Sequence, residues 1–431
     1  MKNSSRHGHR TWWWVAAAVV VALVGAVIAG NFVGGEKQIE RRIERLYPLE
    51  DPRFANELGV LLGPAFVGGN RFQALRNGDE IFPAMLAAIQ GARTSINFES
   101  YIYWSGEIGQ RFADALAERA QAGVPTHVLL DWLGSAKMDD KLIERMEAAG
   151  VQLHKFHPPH WSHLARLNNR THRKLLIVDG RIGFTGGVGI APEWTGHAQD
   201  PEHWRDTHFQ VEGPVVAQMQ SVFLDNWIKV TGVVLHGPAM FPTLAAVGSA
   251  PAQMFSSSPS GGSESMHLMY LMAITAASRS IDLSASYFVP DPLTVQALVA
   301  ARKRGVRVRI VVPGEHIDSD TVRSASRATW GPLLQAGVLI AEYAPTMFHC
   351  KVLVVDDVLV SVGSTNFDNR SFQLNDEATL NLIDRDFARA QTVTFEADLA
   401  RSRPISYAQW LERPWRERLG EKVASLIGSQ L

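Results

Sequence analysis

The chain opens on a long run without charge. From Thr11 to Gly35 there is no acidic or basic side chain, and Trp12-Trp13-Trp14 leads into Ala, Val, Leu and Ile as far as Phe32. Twenty-five residues at ~1.5 Å of helical rise exceed a hydrocarbon core of ~30 Å, and tryptophan favours the interface at the end of such a run. Lys2, Arg6 and Arg10 precede it. The pattern predicts a single membrane-spanning anchor. The other reading is a cleaved signal peptide ending near Val27-Ile28-Ala29. The short basic start favours the N-terminus inside and the rest of the chain outside, although Lys37, Arg41, Arg42 and Arg45 follow the run. A polar helical stretch is expected over about 36–47.

Beyond it, short apolar β-branched runs alternate with helical periodicity, the signature of an α/β protein. The alternation occurs twice. Ser95-Ile96-Asn97-Phe98 with Tyr101-Ile102-Tyr103 is echoed by Ser280-Ile281-Asp282-Leu283 with Tyr287-Phe288. Ala122-Gly123-Val124 before His127-Val128-Leu129-Leu130 is echoed by Arg304-Gly305-Val306 before Val308-Arg309-Ile310-Val311-Val312, and Ala149-Gly150-Val151 by Ala336-Gly337-Val338. A repeat this long is a duplicated domain. The expected division is an anchor over 1–35, a linker helix over 36–60, a first unit over 61–245, a second over 246–415 and a tail over 416–431. The units are expected to meet in the Gly-, Pro- and Ser-rich stretch from Ser256 to Gly262. The first unit carries an additional loop from Pro158 to Arg170.

Each unit ends in one signature. The first reads His172-Arg173-Lys174-Leu175-Leu176-Ile177-Val178-Asp179, then Gly186-Gly187-Val188-Gly189; the second reads His349-Cys350-Lys351-Val352-Leu353-Val354-Val355-Asp356, then Gly363-Ser364-Thr365-Asn366. Both runs are strands, so His172 and Lys174 share a face, as do His349 and Lys351. A two-residue hairpin at Asp179-Gly180 would set Lys174 opposite Thr185 and His172 opposite Gly187. The same register sets His349 opposite Ser364. Each unit then offers an imidazole, an ammonium and a small-residue pocket of Gly187, or of Ser364 and Asn366, where phosphate could approach the backbone. That set suits a phosphodiester: lysine neutralises developing charge, one histidine attacks phosphorus and the other protonates the leaving oxygen. Asp179 and Asp356 either join this catalytic set or only shape the turns.

Composition narrows the choice. Net charge is −1, which argues against a nucleic-acid partner. Cys350 is the single cysteine, so there is no disulfide framework and no cysteine-based zinc site. Gly187-Val188-Gly189 lacks the third glycine of a dinucleotide loop. His154, His157, His160 and His163 recur every third residue, but Pro158 and Pro159 keep them off one helical face, so no metal site is assigned. That loop reads as polar, or as a headgroup-facing rim with Trp161, Leu164, Arg166 and Arg170. Arg302-Lys303-Arg304 and Arg307-Val308-Arg309 read as a solvated helix end. The tail from Trp410, with Trp415, Val423, Leu426 and Ile427, reads as an amphipathic helix docked on the core.

The doubled signature resembles the HKD motifs of the phospholipase D superfamily. Over about 70–415 the chain is similar to bacterial cardiolipin synthases. Val362-Gly363-Ser364-Thr365-Asn366-Phe367-Asp368-Asn369-Arg370-Ser371-Phe372 with Asn375-Asp376-Glu377 carries the likeness, as do Phe98-Glu99-Ser100-Tyr101-Ile102 and Trp204-Arg205-Asp206-Thr207-His208. The resemblance implies two tandem α/β/α sandwich repeats about a pseudo-twofold axis. It implies a two-step reaction needing neither metal nor cofactor, with His172 as nucleophile and His349 as acid and then base. Asp206 and Glu377, lying downstream of His172 and His349 respectively, would support the imidazoles. Phosphatidylglycerol is the implied donor, with phosphatidylethanolamine or CDP-diacylglycerol as other partners, at a bacterial inner membrane with the catalytic part on the periplasmic side. The alternatives are a phospholipase D hydrolase releasing phosphatidic acid, a nuclease-type phosphodiesterase and a non-catalytic lipid binder. One departure is that Gly187 and Gly189 stand where the family pattern often has Ser and Asn, which makes the two halves unequal.

Overall fold

A computed structural model describes residues 12–22, 25, 39–158, 168–259 and 264–426. Its centre is a sixteen-stranded mixed sheet. Val67–Arg76 and Ala250–Ser257 run antiparallel at the middle, pairing Val67 with Ala252 and Asn70 with Ala250 across a one-residue shift in register. Read outward from Val67–Arg76, the order is Thr207–Glu212, Ile182–Gly186, Leu175–Val178, Ile96–Ser100, Thr126–Asp131 and Gln152–Phe156. Read outward from Ala250–Ser257, it is Asn375–Ile383, Leu359–Gly363, Lys351–Val355, Ser280–Ala285, Arg307–Pro313 and Leu339–Tyr343, with Ser402–Ile405 added at the edge. The two sequences of strands match position for position, so the chain duplication appears as a duplicated sheet.

These strands are buried on both faces, and their alternation shows it. Leu176 and Val178 pack with the helices Asn77–Gln90 and Glu107–Gln121, whereas Leu175 and Ile177 pack with the helix Val216–Thr231 on the other side. In the second half Leu353 and Val355 face the helices Ser265–Ala276 and Asp320–Gln335, while Val352 and Val354 join Leu175, Ile177 and Phe223. That last cluster draws from both halves and ties them together.

Four expectations change. The described part of the 36–47 stretch is irregular, and the helix is Pro52–Leu62, which Asp51 caps by accepting from the Arg53 amide with proline in the first turn. It buries Phe54, Leu58 and Leu62 in the core of the second half. Ser256 and Ser257 close a central strand instead of forming a linker, because their neighbours Met254 and Phe255 are buried sheet residues. The tail helix Trp415–Leu426 docks through Ala424 and Glu421, the latter paired with Arg413 at 2.6 Å, leaving Trp415, Leu419 and Val423 exposed. Of the uncharged stretch, Trp12–Ala22 is helical and exposed. Among the described residues no helix is long and apolar enough to cross a membrane, so they do not support the expected single-pass anchor, and the rest of that stretch lies outside the described residues.

Candidate active site

Each signature histidine precedes a central strand and is held by the other half of the molecule. Arg170–Thr171 pairs in parallel with Asn375–Asp376, and the His172 amide donates to the Asp376 carbonyl at 2.9 Å. Phe348 bridges Arg205 in the same manner, and the His349 amide donates to the Arg205 carbonyl at 2.8 Å. The residue after each of these carbonyls is a carboxylate. His172 Nδ1 lies 3.0 Å from Glu377 Oε1, and His349 Nδ1 lies 2.8 Å from Asp206 Oδ2. The carboxylates thus serve the opposite half's imidazole. This corrects the pairing implied by chain order, which set Asp206 with His172 and Glu377 with His349. A carboxylate on Nδ1 fixes the tautomer with the proton there and leaves the Nε2 lone pair available.

Both rings line one cavity of about 290 Å³, with Lys174, Tyr101, Tyr287, Trp194, Trp204, Asp318 and Asn366 on its walls. Tyr101 meets the His172 ring edge-on at 5.1 Å, while Trp194 and Trp204 pack the His349 ring at 5.1 and 5.4 Å. Lys351 Nζ lies 3.2 Å from both ring nitrogens of His349 and 2.8 Å from Ser286 Oγ, which in turn donates to Asn366 Oδ1 at 2.7 Å. Lys174 Nζ donates to the His172 carbonyl at 2.8 Å. A larger cavity of about 630 Å³, between the helices Pro292–Lys303 and Asp320–Gln335, has no imidazole in its lining.

Burial governs the charges. It presses the His172 ring down to about 4, with Lys174 adding to the effect and Glu377 opposing it. Burial and Lys351 hold His349 at about 3 against the pull of Asp206. Burial and the neighbouring Lys351 lower Lys174 to about 7. Burial alone would raise Glu377, but His172, Lys174 and Ser364 hold it at about 2; His349 and Lys351 likewise keep Asp206 below its ordinary value against burial. The free site therefore holds two neutral imidazoles between ionised carboxylates and two crowded lysines.

The turns refine the register. Asp179 and Gly180 take φ of 55° and 60°, and Asp356 and Asp357 take 56° and 51°. Arg181 and Val358 follow as extra residues, so Val178 pairs with Ile182 and Val355 with Leu359. The expected two-residue register is thus off by one: Leu175, not Lys174, lies opposite Thr185. Asp179 and Asp356, counted with the catalytic set, are away from the cavity. Asp179 accepts from the amides of Arg93, Thr94 and Ser95, and Asp356 from those of Ser278, Arg279 and Ser280. They tie each turn to the start of the neighbouring strand.

The small-residue pocket divides in the same way. Asn366 faces the cavity. Ser364 is fully buried and donates to Glu377 Oε2 instead. Gly187 gives way to Asp206, since a Cβ there would lie 2.4 Å from Asp206 Oδ1. Its departure from the pattern is therefore steric, and Trp194 Nε1, at 3.0 Å from Asp206 Oδ2, supplies the hydrogen bond that Ser364 supplies to Glu377. His154 and His157 pack on Trp227 and Phe156, while His160, His163, Trp161, Leu164 and Arg166 lie outside the described residues. Arg304 and Arg309 are structural: Arg304 binds the carbonyls of Ile274, Thr275 and Ala277, and Arg309 pairs with Asp282 at 2.7 Å. Residue-by-residue reading missed Ser286, Trp194 and Asp318, whose types carry no spacing signal; Tyr101, Tyr287 and Trp204 lay within quoted segments without an assigned role.

Two segments of the chain, 85–227 and 270–399, match the family described as "Cardiolipin synthase, PLD-like domain". The chain belongs to this family. It is 37% identical over 360 residues to a cardiolipin synthase of Geobacillus thermodenitrificans, covering 83% of this chain and 72% of the relative. It is 34% identical to the major cardiolipin synthase of Bacillus subtilis, covering 84% and 76%. Among solved structures, phosphatidylserine synthase of Haemophilus influenzae superposes with a TM-score of 0.67 at 13% identity, covering 89% of this chain and all of that one. At that identity the likeness speaks for the fold alone.

Proposed function

We propose that this phospholipase D-like enzyme is a phosphatidyltransferase that makes cardiolipin from phosphatidylglycerol. The observation that carries the reading is the convergence of two carboxylate-held imidazoles on one cavity flanked by Lys174 and Lys351. The donor's phosphodiester anion enters between the lysines, which offset charge on its free oxygens as the transition state develops. His172 Nε2 attacks phosphorus, the P–O bond to the headgroup glycerol breaks, and His349 gives that oxygen its proton. The anion itself counters the lysines, so it raises the affinity of His349 for the proton it must donate. In the second step a hydroxyl of another phosphatidylglycerol attacks, the P–N bond breaks and His349 takes the proton. Water attacking instead would give phosphatidic acid, so the tryptophan wall beside His349 favours transfer by excluding it.

The deciding experiment supplies purified protein with phosphatidylglycerol vesicles and follows glycerol and cardiolipin together, with chelator present. Equal yields are expected, and His172→Ala should lose at least ~10²-fold in rate. Phosphatidic acid as sole product would instead favour a hydrolase. Membrane seating belongs to the same reading: the uncharged run Thr11–Gly35 would hold the enzyme on the bilayer. Removing residues 2–35 should then release the protein from membranes washed in alkaline carbonate; continued retention would assign the attachment elsewhere.

A further inference from the structure

The donor phosphate has the two histidines and two lysines, but a phosphatidylglycerol acceptor brings a second anion into the same cavity. Two arginines on the cavity wall meet that need. Arg170 comes from the first half, at the end of the segment that pairs with Asn375. It is 8% exposed, its guanidinium lies 5.1 Å from the centroid of the Trp132 ring, and its Nε has no hydrogen-bond partner. Its Nη1 donates only to the adjacent Asn169 carbonyl, at 3.2 Å, and among the described residues no carboxylate lies within ion-pair distance. Arg370 comes from the second half and is held by Asn168 through the carbonyl at 2.9 Å and the side-chain oxygen at 3.1 Å. Burial makes the Arg170 charge costlier, Asp131 and Tyr101 oppose this, and the neighbouring Arg370 adds to it. A buried guanidinium with a donor aimed at nothing, beside a second, half-buried guanidinium on the same cavity wall, is an arrangement that an oxyanion completes, and guanidinium is the group whose donors match phosphate geometry. The pair also has no counterpart across the pseudo-twofold: Met347 occupies the position of Arg170, two residues before its histidine.

Resting on the phosphatidyltransferase reading, we propose that Arg170 and Arg370 form a second phosphate subsite, which holds the phosphodiester of the acceptor lipid while its glycerol hydroxyl attacks the phosphatidyl-histidine. They are specificity residues, since the bonds made and broken lie at the other phosphate. The subsite distinguishes an anionic lipid acceptor from water or a neutral alcohol. The test measures three products from one donor in one tube: cardiolipin, phosphatidic acid, and the phosphatidyl transfer product of an added neutral alcohol such as ethanol. In Arg170→Gln and Arg370→Gln, cardiolipin formation should fall at least tenfold further than transfer to ethanol, with the apparent KM for the acceptor lipid raised. A misfolded variant would lose all three together, so the ratio reports the subsite, and Arg170→Lys should recover part of it. Unchanged product ratios in both variants would overturn the subsite while leaving the enzyme's assignment intact. Wild-type protein that forms no cardiolipin would instead remove the reading on which the subsite rests.

Discussion

Lys174 is the residue whose charge working pH decides. It is fully buried, faces Lys351 as a like charge, and has Glu377, Asp206 and Asp131 as its balancing carboxylates. Its value of about 7 means that the ammonium, and with it one of the two lysine charges facing the donor phosphate, is present below neutrality and is lost as pH rises. His172 behaves in the other direction: with a value of about 4, the lone pair proposed to attack phosphorus is available above that pH. In kcat at saturating phosphatidylglycerol, where the bound anion favours protonated His349, the expected profile is therefore a plateau ended by an alkaline fall at or above neutrality as Lys174 loses its charge. Lys174→Arg, always charged, should push that fall upward at a lower plateau. A wild-type profile level to pH 9 would contradict the role assigned to the amine.

At the scale of elements, His267 joins three of them. It lies in the helix Ser265–Ala276, with Nδ1 2.6 Å from Glu264 and Nε2 3.0 Å from Asp291, which caps the helix Pro292–Lys303, and its ring stacks on Phe372. Burial would lower it, but the hydrogen bonds to Asp291 and Glu264 raise it from 6.5 to about 9. A raised histidine stabilises fully below its unfolded value and loses that contribution as pH climbs through the folded one. The span corresponds to up to ~3 kcal/mol. His267→Gln should thus lower Tm at pH 6 and matter little at pH 10; an equal loss at both would mean the ring acts by packing alone.

Elements are also where the sequence was most legible. The β-branched runs marked the strands beside both histidines, and the repeat set their order. What it could not specify was tertiary. The one-residue slip of both hairpins comes from Arg181 and Val358 following the left-handed pairs Asp179-Gly180 and Asp356-Asp357, and no periodicity marks an added turn residue. The tail helix was read by its large apolar residues, yet Arg413 made Glu421 the buried face. Chain order suggested that each carboxylate serves the nearest upstream imidazole, and only the sheet reveals otherwise.

Across the whole molecule the crossed carboxylates are the feature that makes two halves one enzyme. Glu377→Gln should shift the ring-nitrogen resonances of His172 in isotope-labelled protein and leave those of His349 in place. Asp206→Asn should do the reverse. Shifts confined within each half would refute the crossing. The shared cluster of Leu175, Ile177, Val352 and Val354 gives the same dependence in apolar form, since neither half has a complete sheet face without the other.

That exchange also sets the moment at which a chain leaving the ribosome becomes chemically dangerous to the membrane around it. His172 emerges early, but its carboxylate is translated some two hundred residues later. Until then the nascent polypeptide bears an imidazole without its orienting acid.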